Sequence, residues 1–337
     1  MEKGILITVL AIIFCATLLP GGLALASHGS SGQGREIDPI VSTKWLSENI
    51  DNENLVIIDI RDPKSYATAH IPGSINEPFV TDFSPETGPT SNWITSRNGL
   101  WLEVPDDQNL FKTIGSLGIT QKSRIVIVTS PNPNEPPFYG LANGTRVADT
   151  LIYAGIVNVA ILDGGYPKWV ADGNPVATDI PNITGVAYKG KINKNMFVSV
   201  DYVHRHLNSA DLIDARDADV YFGVTVEPWT DKAGHIPGAA SLPAPWIWTL
   251  NDDGTYTFRN REALAAMAAG VPGKPHERQE GRKGHDSDII VYCGVGGYAS
   301  SWWFVLTQVL GYEDVKFFDG ASQEWGMHYD MIPYRWE

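Results

Sequence analysis

The chain spells one pattern twice. Residues 55–75 read "LVIIDIRDPKSYATAHIPGSI" and residues 210–241 read "ADLIDARDADVYFGVTVEPWTDKAGHIPGAAS". Asp59 and Arg61 answer Asp214 and Arg216, and His70-Ile71-Pro72-Gly73 answers His235-Ile236-Pro237-Gly238, with ten extra residues between Arg and His in the second copy. Further on, "SRIVIVTS" (123–130) answers "SDIIVYC" (287–293), and "AGIVNVAILDGGYPKW" (154–169) answers "LGYEDVKFFDGASQEW" (310–325). A repeat this long makes each copy a folding unit of one architecture. Within a copy, short apolar runs of the kind buried on both faces alternate with turns and helical stretches. The pattern predicts an α/β fold of two domains, each a mostly parallel sheet flanked by helices. We place the domains at 36–178 and 197–337, joined by a polar linker over 179–196.

The first 26 residues read differently. Lys3 precedes an apolar run over 5–19, and Ala24-Leu25-Ala26 offers a cleavage site before Ser27, as in a secretory signal. The run is shorter than the roughly 20 residues of a membrane span. We therefore expect export to a periplasmic or extracellular space, with membrane attachment only if this segment stays uncleaved. Cys15 lies inside the run, so cleavage leaves Cys293 as the sole cysteine. A single thiol forms neither an internal disulfide nor a Cys-x-x-Cys redox pair. The eight histidines are scattered, and the close pair His204 and His206 falls on a predicted solvated helix, so no metal site is expected. A net charge of −14 argues against a nucleic-acid partner.

Cys293 closes the apolar run "IIVY" and is followed by Gly294, Val295, Gly296, Gly297 and Tyr298. Ligands of parallel α/β sheets sit beyond the carboxyl ends of the strands. The glycines allow positive φ and a close backbone, so that several N–H groups converge, and the helix predicted over 299–310 points its N-terminus at the same place. Such a cradle is expected to lower the thiol below its usual pKa of about 8.5 and make a nucleophile. Against this stands the ordinary fate of a lone cysteine, an inert buried thiol.

With these residues in view, the sequence resembles the tandem-domain rhodaneses, the thiosulfate and 3-mercaptopyruvate sulfurtransferases, through "DIRD…HIPG", "DARD…HIPG", "LDGGYPKW", "FDGASQEW" and the cysteine after "IIVY". The resemblance implies that the C-terminal domain alone is catalytic. Cys293 would take a sulfane sulfur from a small donor (thiosulfate, 3-mercaptopyruvate or polysulfide) and pass it to a thiol or cyanide, with no cofactor. Gly294, Val295, Gly296, Gly297 and Tyr298 would bind the substrate. Ser130 is read as the counterpart of Cys293 in the silent first copy. The loop "CGVG" is similar to that of the mercaptopyruvate type, but Val295 stands where a hydroxyl is typical and Tyr298 where Thr is usual. Val220 and Trp229 stand where substrate-binding basic residues are expected. Lys232, Arg278, Arg282 and Lys283 are candidates to supply the missing charge. Asp214, Arg216, His70 and His235 recur in both copies or answer each other, so they read as scaffold. Trp246, Trp248, Trp302 and Trp303 read as core or interdomain packing. A sulfur carrier without turnover is the alternative. A Cys-x5-Arg phosphatase is disfavoured because Ala299 fills the place of its oxyanion clamp.

Overall fold

The structure, a computed structural model, describes residues 34–84, 88–131, 137–269 and 288–334, all within the compact unit Ser31–Glu337. The signal-like segment and Arg278, Arg282 and Lys283 lie outside the described residues.

The first copy runs β1 (Ile40–Val41), α1 (Thr43–Asn49), β2 (Leu55–Asp59), α2 (Pro63–Thr68) and β3 (Ile75–Asn76). Two hairpins follow, β4 (Asp82–Ser84) with β5 (Gly88–Thr90) and β6 (Thr95–Arg97) with β7 (Leu100–Glu103). Then come α3 (Asp107–Ser116), β8 (Arg124–Val128), α4 (Pro137–Tyr153), β9 (Val159–Leu162) and α5 (Gly165–Ala171). The second copy runs β10 (Phe197–Val198), α6 (Val200–His206), β11 (Asp211–Asp214), α7 (Ala218–Tyr221), β12 (Ala240–Ser241), and a hairpin of β13 (Trp248–Leu250) and β14 (Tyr256–Phe258). It ends with α8 (Arg261–Ala269), β15 (Ile289–Tyr292), α9 (Gly297–Phe304), β16 (Val315–Phe318) and α10 (Ala321–His328), α9 being prolonged by a π-helical turn over Val305–Leu310.

Each copy builds a five-stranded sheet, ordered β1-β9-β8-β2-β3 and β10-β16-β15-β11-β12, with every neighbouring pair parallel. The apolar runs of the sequence are the central strands, buried on both faces as parallel sheets require. Ser42 and Ser199 cap α1 and α6 in the same way, accepting from the Trp45 and Tyr202 amides at 3.1 and 3.3 Å. His204 and His206 lie on α6 as expected, exposed and partly buried respectively.

The repeated Asp-x-Arg is a buried ion pair in both copies. Arg61 Nη2 and Arg216 Nη2 each lie 2.6 Å from the carboxylates of Asp59 and Asp214. The same nitrogens donate to the carbonyls of Ala69 and Gly234 at 2.9 and 2.7 Å. The pair thus ties a strand end to the His-Ile-Pro-Gly turn. His70 and His235 complete that turn, stacked on Tyr66 and Tyr221 at 3.9 and 3.8 Å. Removing one member of such a pair strands a buried charge, which costs about 3–5 kcal/mol.

The two copies meet through α4 and α9. Thr145 Oγ1 lies 2.7 Å from Ser300 Oγ and 2.9 Å from Ser301 Oγ, all buried. Phe304 of α9 enters the core of the first domain, while Leu141 and Ala142 of α4 enter the core of the second. The aspartates after β9 and β16 reach across reciprocally. Asp163 Oδ1 accepts from the Phe258 amide and Asp319 Oδ2 from the Val104 amide, both at 2.8 Å. Trp248, Trp302 and Trp303 are buried as expected, whereas Trp246 is half exposed.

Residues 179–196 hold neither strand nor helix and strap onto the first domain. The Val186 amide donates to Gly115 O at 2.9 Å and the Tyr188 hydroxyl to Ala154 O at 2.8 Å. Gly115 is required here, because a Cβ would stand 2.3 Å from Val186 O.

Burial pushes Asp163 up to about 6, against the pull of the Phe258 and Gly164 amides and Lys168. The native state therefore holds a proton that the unfolded chain releases near pH 4, and its stability declines as pH rises from about 4 to about 6. Asp163→Asn keeps the acceptor and removes the charge. It should flatten urea-unfolding stability across that window and raise it by about 1–2 kcal/mol at pH 8.

Candidate active site

β15 delivers Cys293 to the carboxyl edge of the second sheet, with its side chain only 2 % exposed. The following turn is Gly294-Val295-Gly296, and α9 begins at Gly297, two residues earlier than the sequence predicts. Gly296 adopts φ +93°, which reverses the chain so that its N–H donates to Cys293 Sγ at 3.1 Å. The amides of Ala299 and Val295 also act on the sulfur. The carbonyls turn the other way. Cys293 O accepts from the Ser322 amide at 2.9 Å and Gly294 O from the Gln323 amide at 3.2 Å, so the first turn of α10 holds the loop from behind. Ala321, at the head of that helix, takes φ +54°, a conformation that costs an L-residue about 1 kcal/mol or more. Gly294 to Tyr298 form the turn from Cys293 into α9, and of these Val295 and Gly296 turn their amides to the sulfur. Val295 and Tyr298 are buried, and a Cβ placed on Gly297 would meet nothing within 4 Å, so the loop opens there.

One electrostatic expectation is overturned. The thiol pKa is pushed up to about 11 rather than lowered, burial being the first cause; the Ala299, Val295 and Gly296 amides pull it down, and the charge of Glu227 pushes it up. The cradle exists, but desolvation outweighs it.

The counterpart of Cys293 is also corrected. Asp59 pairs with Val128 and Asp214 with Tyr292, while Tyr166 N–H donates to Thr129 O as Ser322 N–H does to Cys293 O, each at 2.9 Å. Thr129, not Ser130, therefore stands in the place of the cysteine. Its hydroxyl is buried and donates to Gly140 O in α4. Set without a gap from Ser123 and Ser287, the two runs themselves bring Thr129 opposite Cys293, and the strand register agrees.

Glu227 escaped the sequence reading. It sits in the ten-residue insertion of the second copy and comes over the loop: a Cβ on Gly294 would stand 2.8 Å from both of its carboxylate oxygens and 2.5 Å from Trp229 Nε1. Only glycine fits beneath them. Trp229 Nε1 donates to Glu227 Oε2 at 3.1 Å, and Arg216 Nη1 lies 3.4 Å from the same oxygen. Burial pushes Glu227 up to about 7, partly offset by Arg216. An insertion confined to the thiol-bearing copy was the available signal. Arg216 is thus more than scaffold, since it also holds Glu227.

The first domain contributes residues as well. Trp101 of β7 exchanges two backbone hydrogen bonds with the Gln323 side chain, both 2.9 Å, and its ring lies 6.4 Å from Trp229. Tyr139 of α4 lies 5.2 Å from the Tyr298 ring. Buried Arg146 pairs with Asp319 at 2.7 Å and donates to Leu102 O at 2.5 Å; its Nη1 would stand 3.3 Å from a Cβ on Gly296. Of the other candidates, Val220 is buried on α7, and Lys232 is engaged by Tyr329 O and Asp330 at 2.9 and 3.1 Å. Ala299 is wholly buried.

The rhodanese-like domain family matches residues 42–172 and again 199–328, and the chain belongs to that family. Its similarities divide between two kinds of sulfur protein. A Mycobacterium leprae protein named "Putative thiosulfate sulfurtransferase" is 28 % identical over 302 residues, covering 86 % of this chain and 95 % of that one. The sulfur carrier protein TtuD of Thermus thermophilus is 28 % identical over 305 residues, covering 85 % and 93 %. In fold, the chain is similar to the anaerobic ergothioneine biosynthesis enzyme of Chlorobium limicola, solved with its natural substrate trimethyl histidine. That match has a TM-score of 0.67 at 22 % identity and covers 88 % of this chain and 71 % of the other.

Iodoacetamide alkylation of Cys293 should follow a single ionisation with its midpoint above pH 9. Glu227→Gln removes the repelling charge while keeping the hydrogen-bond acceptor, and should move the midpoint down by about one pH unit. An unchanged midpoint would show that the carboxylate is not felt at the sulfur.

Proposed function

We propose that the protein is a sulfurtransferase that carries sulfane sulfur as a persulfide on Cys293. The observation that carries this reading is a lone thiol at the end of β15 with backbone amides turned to its sulfur, in a chain whose relatives are sulfurtransferases and a sulfur carrier by name. The sulfur of Cys293 attacks the outer sulfur of the donor. The bond from that sulfur to the rest of the donor breaks, its electron pair leaves with the remainder, and the remainder takes the thiol proton. The loop amides then stabilise the persulfide as they did the thiolate. A thiol or cyanide attacks the terminal sulfur and frees Cys293. Gly294 to Tyr298 bound this space, and every step proceeds without a cofactor.

Donors of low negative charge suit the site best, because thiosulfate is a dianion and Glu227 adjoins the loop. Neutral organic polysulfides, such as dialkyl trisulfides, and small persulfides meet that condition. A carrier without turnover is the second reading, favoured by the depth of Cys293 and its raised pKa. The N-terminal segment directs export to a periplasmic or extracellular space in this proposal, with the domain over 36–178 silent and that over 197–337 active.

Intact mass after exposure to thiosulfate, 3-mercaptopyruvate and polysulfide in turn should reveal a gain of one sulfur atom, strongest with polysulfide. Cys293→Ser should abolish it, and no gain with any donor would sink the proposal. Repeated turnover on adding cyanide marks the enzyme, and a single discharge marks the carrier. The mass of the protein recovered from its native host also reads the signal, which is cleaved before Ser27 if the expectation holds.

A further inference from the structure

We propose that Arg146, a side chain of the first copy, is a positioning residue for sulfur transfer: it holds Gly296, and with it the amide that meets Cys293 Sγ. The proposal rests on the persulfide reading above and assigns control of the cysteine loop to the other domain.

The guanidinium of Arg146 is wholly buried at the seam, over the rings of Phe317 and Phe197 at 5.1 and 5.5 Å. Its Nη2 meets Asp319 Oδ1 at 2.7 Å and Leu102 O at 2.5 Å. Among the described residues, Nη1 and Nε find no hydrogen-bond acceptor. A buried charge with unpaired donors is a poor stabiliser, and apolar residues of like volume often hold such a seam as well or better. The ion pair lies instead against the loop. A Cβ on Gly296 would stand 3.3 Å from Nη1 and 3.5 Å from Asp319 Oδ1. Gly296 carries φ +93° and sends its N–H to the sulfur at 3.1 Å. The pair is itself fixed from the first domain, since Asp319 Oδ2 accepts from the Val104 amide at 2.8 Å. Three residues beyond Asp319, the Ser322 amide holds Cys293 O at 2.9 Å. The loop is thus held on both sides of the thiol by contacts that converge on Asp319, and Asp319 is anchored in the first copy.

In the transfer step, an acceptor thiolate attacks the outer sulfur of the Cys293 persulfide and forms a new sulfur–sulfur bond. The bond to Cys293 Sγ breaks, and Sγ keeps the electron pair and then takes a proton from water. An amide already fixed beside Sγ stabilises that charge without having to reorganise. Misplacing such a group by about 1 Å can cost up to about a hundredfold in rate. Lysine is no substitute for the arginine, because a single ammonium in place of the fork leaves the space against Gly296 unfilled. Glu227 and Trp229 rest on Gly294 and Arg216 rather than on Arg146. Loss of the hold should therefore fall on kcat and spare KM.

The test follows sulfur transfer from polysulfide to 2-mercaptoethanol and, separately, hydrogen exchange of the Gly296 amide by NMR on protein carrying isotope-labelled glycine. Arg146→Lys should lower kcat by about tenfold or more with KM within about twofold. Exchange at Gly296 should quicken by a similar factor. Arg146→Met combined with Asp319→Asn leaves no stranded charge, so the seam still folds, and should act in the same way. Asp163→Asn alters the sister bond to Phe258 and should leave both readings as they were. Unchanged kcat or unchanged exchange in the folded Arg146 variants overturns the proposal. An equal loss in Asp163→Asn also overturns it, because any bond across the seam would then suffice. Failure of the unaltered protein to load with any donor would sink the persulfide reading, while exchange at Gly296 still judges the positioning.

Discussion

The contact between α4 and α9 fixes everything near the thiol. Thr145, Ser300 and Ser301 let the two helices approach closely through buried hydroxyls, and each helix lends apolar residues to the other domain's core. Because α9 starts at the cysteine loop, anchoring its first turn also anchors Gly296 and the amide that meets the sulfur. The next residue of α4, Arg146, spans from Asp319 to the carbonyl of Leu102. Leu102 itself sits at φ +60°, a strained conformation that persists because its neighbours over-determine it. Three acids crowd this one guanidinium. Burial pushes Glu103 up to about 8 and Asp149 well above its ordinary value. Burial thus favours the protonated acid at Glu103 and Asp149.

The repeat made the architecture legible. Two matching series of apolar runs require two sheets of one topology, and the register of β2 on β8 and of β11 on β15 shows the same order in both. The glycines after Cys293 gave the turn, since Gly294 and Gly296 leave no room for a side chain or need a positive φ. What stayed hidden depends on burial or on distance along the chain. The pKa of Cys293 is a balance between amides that can be foreseen from glycine spacing and a desolvation that cannot. Trp101 and Arg146 reach the site from the other copy, more than a hundred residues away, and no periodicity encodes that meeting. The counterpart of Cys293 was legible, since 123–129 and 287–293 align without a gap and place Thr129 there, as the ladder pairing does.

The two copies play different parts around Cys293. Thr129 spends its hydroxyl on the backbone of α4, so the place that holds a free thiol in the second copy is closed in the first. The first copy supplies residues beside the second: Trp101 through its hairpin, Tyr139 and Arg146 through α4. The reciprocal bonds of Asp163 and Asp319 to the opposite domains are the symmetric remainder of that arrangement.

Asymmetry enters with the insertion that carries Glu227. An amide cradle alone would favour any anion, including a dianionic donor. A carboxylate placed over Gly294 opposes it, and the two effects select on different atoms. The amides of Val295, Gly296 and Ala299 act on the sulfur of Cys293. Glu227 and Trp229 lie over Gly294, joined to each other through the indole N–H. Amides beside the sulfur and a carboxylate over the neighbouring glycine pull the thiol in opposite directions, and burial raises its pKa to about 11.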